Sequence, residues 1–252
     1  MTDSAASRVT FSILGITVRP LLNLMMRKEW RGTEKLPRDS GFIVCPNHVT
    51  EIDPLIVSHF LFNQRVMPHF LAKASLFKVP VMGSLLRIIG QVPVERTTAG
   101  ANRSLEAARA AIASGGGIII YPEGTLTRDP ALWPMKGHTG AARLALQTKA
   151  PVVPMAHWGA QEVFPPYAKR FYLFPRKTSR VLVGEPVDLS EFDGKPITRA
   201  TLDAATDRIL DAITALLAEL RQEDPPAQRW DATARQQKRT GRDSPANGEG
   251  AA

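Results

Sequence analysis

The sequence predicts an α/β domain: a mostly parallel central sheet flanked by helices on both faces, led by an N-terminal apolar helical segment. Three observations carry this. Short apolar runs bounded by glycine or proline recur along the chain, as in Gly41-Phe42-Ile43-Val44 and Ile118-Ile119-Ile120-Tyr121, and such runs read as buried strands. Stretches of helical periodicity lie between them, which argues a parallel sheet covered on both faces. Several polar clusters also follow directly on the predicted strands, and open α/β sheets build their sites at that rim.

In chain order, residues 9–26 are mostly apolar but interrupted by Arg19-Pro20, and Arg27, Lys28, Trp30 and Arg31 follow. A spanning helix needs ~20 uninterrupted apolar residues, so residues 1–30 read either as helices packed on the domain or as an apolar and basic membrane-interface anchor. Residues 31–221 form the expected domain. Strands are expected at 42–45, 68–72, 91–94, 118–121, 152–156 and 180–184. Helices are expected at 54–63, 101–113, 139–147 and 198–221. Residues 74–90 are helical in character but apolar all round, which makes them core or the lining of a path for a greasy substrate. The glycine run Gly115-Gly116-Gly117 follows a helix instead of preceding one, so it reads as a C-cap and not a phosphate cradle. Residues 222–252 are poor in apolar side chains and read as a disordered tail.

The 252 residues carry a net charge of +8. Residues 222–252 hold five basic and five acidic side chains, so the excess lies in residues 1–221. A basic folded domain points to an anionic partner such as a phosphate ester or an anionic lipid surface. Nucleic acid is not expected, because the basic residues are not interleaved with aromatics along one element. One cysteine, Cys45, excludes an intramolecular disulfide and fits a reducing compartment. Its place in an apolar run suits a buried inert thiol.

The stretch that carries chemistry is Cys45-Pro46-Asn47-His48-Val49-Thr50-Glu51-Ile52-Asp53-Pro54. His48 falls in a strand-to-helix turn, and Asp53-Pro54 reads as a helix N-cap and first helical residue. Five positions apart in one regular helix, the two side chains would diverge by about 140°; in a turn they can converge. A convergent His-Asp pair is a poised base, with the carboxylate setting the tautomer and stabilising the imidazolium. Asp53 also has a purely structural explanation as a helix cap. The polar residues expected on the same rim are Lys73, Glu95-Arg96 and Pro122-Glu123-Gly124-Thr125. Arg and Lys suit a phosphate, and the base suits an alcohol. No cluster has metal-ligand spacing. Residues and spacing therefore lead to transfer onto a hydroxyl of a phosphorylated substrate.

At this point the sequence resembles the glycerolipid acyltransferases typified by 1-acylglycerol-3-phosphate acyltransferase, from about Arg31 through Gly159. Asn47 to Asp53 is similar to that family's Asn-His-x-Ser-x-x-Asp block, with Thr50 for serine. Lys73 and Leu76 match its Ala-Lys-x-x-Leu strand end. Gly90 to Arg96 matches its second block, with Glu95 for aspartate, and Tyr121-Pro122-Glu123-Gly124-Thr125 its third. Lys136-Gly137, Val153-Pro154 and Gly159 match the remainder. The departure is Leu126, where many members carry arginine, with Arg128 two residues later.

The resemblance implies a single-step transfer from acyl-CoA or acyl carrier protein, as co-substrate and with no cofactor or metal, to the hydroxyl of 1-acylglycerol 3-phosphate, giving phosphatidic acid. In that reading His48 and Asp53 are catalytic. Arg96 and Lys136 hold the phosphate, with Lys73 beside them and Arg128 able to take over the missing arginine contact. Glu123, Gly124 and Thr125 position the glycerol portion or the developing oxyanion. The partners implied are a lysophospholipid acceptor, an acyl thioester donor and a membrane surface, at the cytoplasmic face of the cell membrane. Other acceptors (a different lysophospholipid, a glycolipid, glycerol 3-phosphate), a thioester or phospholipid hydrolase, and a non-catalytic membrane-binding module are the alternatives.

Overall fold

The computed structural model describes residues 5–94 and 98–237. Helix α1 (Ala5–Met25) runs straight into strand β1 (Met26–Arg31). Then follow β2 (Phe42–Pro46), α2 (Asp53–Asn63), β3 (Pro68–Lys73), α3 (Met82–Ile88), β4 (Val92–Val94), α4 (Thr98–Ala113), β5 (Gly117–Ile119) and α5 (Gly140–Thr148). The chain finishes through β6 (Val152–Trp158), the single-turn α6 (Ala160–Val163), β7 (Lys177–Val183) and α7 (Arg199–Arg221).

The seven strands form one sheet in the order β1-β7-β6-β2-β5-β3-β4. From β6 to β4 every neighbouring pair is parallel; β7 runs antiparallel to β6 and carries β1 parallel to itself at the edge. The carboxyl ends of β2, β3, β4, β5 and β6 therefore share one rim. β2 is buried along its whole length, as expected of a parallel strand covered on both faces.

One face of the sheet packs against the end of α1 and against α2, through Leu22, Met25, Ile56, Phe60 and Val44 among others. The other packs against α4, α5 and α7 through Ala108, Ile112, Leu144, Leu202, Ile209 and Ile213. The α7 stripe has helical period, and Thr198 caps the helix by accepting from the Thr201 N–H at 3.2 Å.

Three expectations change. The sheet begins at Met26, inside the segment expected to be wholly helical. Met26-Arg27-Lys28-Glu29-Trp30-Arg31 is charged because β1 is an edge strand, with only Met26 fully buried. Helix α1 continues through Pro20 instead of breaking there. Residues 76–89 are not core: Leu76, Val79, Val81, Met82 and Ile88 are exposed, and Phe77 and Ile89 are the buried members. Among the described residues no helix is long and apolar enough to cross a membrane.

Phe60 is fully buried, with its ring edge-on to Trp30 at 5.2 Å. Phe60→Ala should lower unfolding free energy by about 3–5 kcal/mol. Urea denaturation monitored by circular dichroism checks this, and a midpoint unchanged from wild type would contradict the packing.

Candidate active site

The rim at the end of β2 is built by side chains that extend the sheet. Asn47 is buried, and its amide accepts from the His157 N–H at 2.9 Å and donates to the His157 carbonyl at 3.1 Å. A side chain thus adds one more rung to the β2–β6 ladder and fixes where the next residue, His48, leaves the sheet.

The turn that follows is organised by Asp53, fully buried at 0% exposure. One carboxylate oxygen, Oδ2, accepts from the Val49 N–H at 2.6 Å and the Thr50 N–H at 2.9 Å. It also lies 3.0 Å from His48 Nδ1. Asp53 is not the cap expected: the N-cap residue of α2 is Ile52, and the carboxylate reaches back to the preceding turn, not forward into its own helix. An oxygen already accepting two N–H groups acts as an acceptor for the ring as well. That puts the ring proton on Nδ1 and leaves Nε2 with its lone pair. The His48 side chain is 16% exposed, enough for one edge of the ring to meet a substrate.

Two further residues pack against the His48–Asp53 pair, and neither was expected from the sequence. Tyr121 stacks on His48 with ring centroids 4.0 Å apart and planes 24° from parallel. Its hydroxyl is buried and is held protonated, first by burial and then by the charge of Asp53. His157 is fully buried, donates from Nε2 to the Asn47 carbonyl at 2.9 Å, and sits 3.6 Å from Asp53 Oδ2. The available signal was a lone histidine inside the apolar strand Val152–Trp158.

Glu123 lies at the end of the β5 segment, 1% exposed. Its oxygens accept from the His48 N–H and the Met135 N–H, both at 3.0 Å. The carboxyl is therefore engaged with backbone: it ties the His48 turn to the loop preceding α5. Burial pushes its pKa up to about 8, against the pull of those two N–H donors. The Thr127 N–H donates to the His48 carbonyl at 2.7 Å, a second tie between the same segments. Gly124 has φ +70°, and a Cβ there would come within 2.7 Å of the His138 ring, so that turn requires glycine. Thr125 follows half-buried.

The remaining expected residues divide. Leu126 is buried, and so is Arg128, whose guanidinium lies 5.4 Å from the Tyr167 ring centre. Lys136 turns its ammonium to Asp231, 3.3 Å away, and its backbone N–H donates to the Trp230 carbonyl at 2.9 Å. The segment expected to be a disordered tail thus packs on this loop as far as the described residues reach. Lys73 closes β3 on the active rim, with its side chain outside the described set, and Arg96 lies outside the described residues altogether. A cleft of about 330 Å³ lined by Arg38, Phe42, Gln64 and Gly116 sits at the amino ends of β2 and β5. That is the opposite rim, away from this chemistry.

Residues 27–158 match the family model described as Acyltransferase. The chain belongs to the acyltransferase family. It is 30% identical over 189 residues to the 1-acyl-sn-glycerol-3-phosphate acyltransferase of Bacillus subtilis, covering 75% of this chain and 87% of that one. It is 25% identical to the human 1-acyl-sn-glycerol-3-phosphate acyltransferase alpha, covering 77% and 65%. It spans only 46% of the chloroplastic Brassica napus relative of that name, at 27% identity. The fold of this acyltransferase is that of the crystal structure of the 1-acyl-sn-glycerophosphate acyltransferase from Thermotoga maritima, with a TM-score of 0.67 at 20% identity over 87% of this chain and 83% of that one.

Glu123 yields a pH test. Its folded pKa of about 8 lies above the ordinary 4.5, so the native state holds the proton more tightly than the unfolded chain does. The stability this contributes is complete below pH about 4.5 and is lost as pH rises to about 8. Glu123→Gln should flatten that part of the slope in thermal melts. Slopes identical to wild type would contradict the assignment.

Proposed function

We propose that this acyltransferase moves an acyl group from an acyl thioester, acyl-CoA or acyl carrier protein, to the free hydroxyl of a 1-acylglycerol 3-phosphate, forming phosphatidic acid. The observation that carries the reading is the convergence of His48 and Asp53 on the active rim, with Nε2 left free to accept a proton. The acceptor hydroxyl gives its proton to His48 Nε2 as its oxygen attacks the thioester carbonyl. The tetrahedral intermediate then expels the thiolate, which takes the proton from the imidazolium. One C–O bond forms, one C–S bond breaks, and the products are an ester and a free thiol. Asp53 holds the ring in register and stabilises the transient cation. Tyr121 forms one wall, so the ring cannot swing away from the attacking hydroxyl.

Glu123 acts in this scheme through the backbone it braces, and Gly124 and Thr125 are assigned to the glycerol portion or the developing oxyanion. In this reading the phosphate is assigned to Arg96, Lys73 and Arg128, as the sequence resemblance implies, with Lys136 able to join only by leaving Asp231. Leu126 and the buried Arg128 favour keeping a second acceptor class in view, a lysophospholipid with a different head group, and a panel of acceptors separates the two. The exposed apolar residues of α1 and α3, among them Ile13, Ile16, Leu24 and Met82, support our reading that the enzyme works at the cytoplasmic face of the cell membrane, where such an acceptor would lie.

His48→Ala should reduce phosphatidic acid formation from palmitoyl-CoA and 1-acylglycerol 3-phosphate by about 10²–10⁴-fold while retaining the wild-type circular dichroism spectrum. Undiminished transfer by the folded variant would remove His48 as the base. Lys136→Ala should raise the acceptor KM with kcat unchanged. An unaltered KM would take Lys136 out of the phosphate site and leave it as the partner of Asp231.

A further inference from the structure

The segment between α6 and β7 exposes four consecutive apolar residues, Phe171, Tyr172, Leu173 and Phe174, with Phe171 at 52% and Phe174 at 82% exposure. A soluble surface rarely shows such a run, and where it does the run marks a contact with something apolar. Lys169, Arg170, Arg176 and Lys177 flank it, and there is no acidic residue between Phe164 and Lys177. Bulky aromatics at the tip with cations at the base is the arrangement an anionic lipid interface selects. The rings enter the headgroup and acyl boundary while the cations stay with the headgroup charge.

The loop is held, not loose. Phe171 packs on Phe164 with centroids 4.5 Å apart, and the Tyr172 N–H donates to the Val163 carbonyl at 2.8 Å. Arg176 donates to the carbonyls of Asn23 and Met26, fastening the loop to the end of α1. Its other root is on the catalytic turn. The Thr50 hydroxyl donates to the Phe164 carbonyl at 2.5 Å, and the Tyr167 N–H donates to Glu51 at 3.0 Å. Thr50 is also one of the residues whose N–H holds Asp53.

We propose that Phe171–Phe174 is a second membrane anchor, an aromatic loop that inserts into an anionic lipid surface and docks the His48 turn directly against it. This goes beyond an N-terminal anchor: it identifies which edge of the domain faces lipid and connects that edge by hydrogen bonds to the base. It deepens the lipid-acceptor reading, but its test needs no turnover, so the two can fail separately.

Cys45 is fully buried, with its thiol pushed up by burial, so Phe174→Cys offers a single accessible thiol for an environment-sensitive nitrobenzoxadiazole label. With vesicles of equimolar phosphatidylcholine and phosphatidylglycerol, the label at 174 should shift to the blue and be quenched by nitroxide-bearing lipids. The same label in Asp193→Cys, on the opposite rim, should keep its aqueous emission. A Leu173→Ser/Phe174→Ser variant should bind those vesicles at least tenfold more weakly in co-sedimentation, with an unchanged melting temperature, and phosphatidylcholine alone should bind the wild type poorly. Aqueous emission at 174 on vesicle-bound protein would overturn the proposal. Absence of vesicle binding, or equal binding to neutral vesicles, would overturn it as well.

Discussion

The site depends on one oxygen atom. Asp53 Oδ2 receives the N–H groups of Val49 and Thr50 and faces His48 Nδ1, so the oxygen that shapes the turn is also the one that orients the His48 ring. A buried carboxylate needs donors to offset its lost hydration, and here those donors, from residues 48 to 50, all meet the single oxygen Oδ2. Removing that oxygen would orphan two buried N–H groups and release the ring at once. Stability of the turn and orientation of the His48 ring are therefore not separable properties in this protein.

Around that centre the sheet acts as a jig. Asn47 adds a rung between β2 and β6, which places His48 one residue beyond the sheet. Glu123 and the Thr127 N–H then pin the backbone on either side of the histidine from the β5 segment. Two adjacent strand ends grip His48 through main-chain contacts, while the ring itself is held by Asp53 and the face of Tyr121. This preorganisation is what the proposed base would need to meet a hydroxyl without first reorganising its surroundings.

Much of this was legible in the residues. Phe42–Cys45 and Ile118–Ile120 announce buried strands by being apolar without alternation, and the α7 stripe by its period. The His48–Asp53 spacing points to a turn because a helix would separate the pair. Other features were hidden for physical reasons. β1 carries four charged residues because it lies at the sheet edge, where burial does not impose an apolar pattern. Asp53-Pro54 has the composition of a helix cap, and only the backbone path shows that the carboxylate turns the other way. Glu123 looks like a substrate-facing acid in sequence, since the N–H groups of His48 and Met135 that occupy it are invisible there. His157 gives no local signal beyond its own name in an apolar strand; its meaning comes from Asn47, far away in the chain.

The central claim is that Asp53 holds His48 in the Nδ1–H tautomer with Nε2 bare. Long-range ¹⁵N–¹H correlation spectra of ¹⁵N-histidine-labelled protein at neutral pH, with the His48 signals assigned by their loss in His48→Ala, test it directly. The account predicts a protonated Nδ1 and an Nε2 shift typical of an unprotonated ring nitrogen, both lost as a pattern in Asp53→Asn. A His48 ring protonated at Nε2 and bare at Nδ1 in the wild type would contradict it.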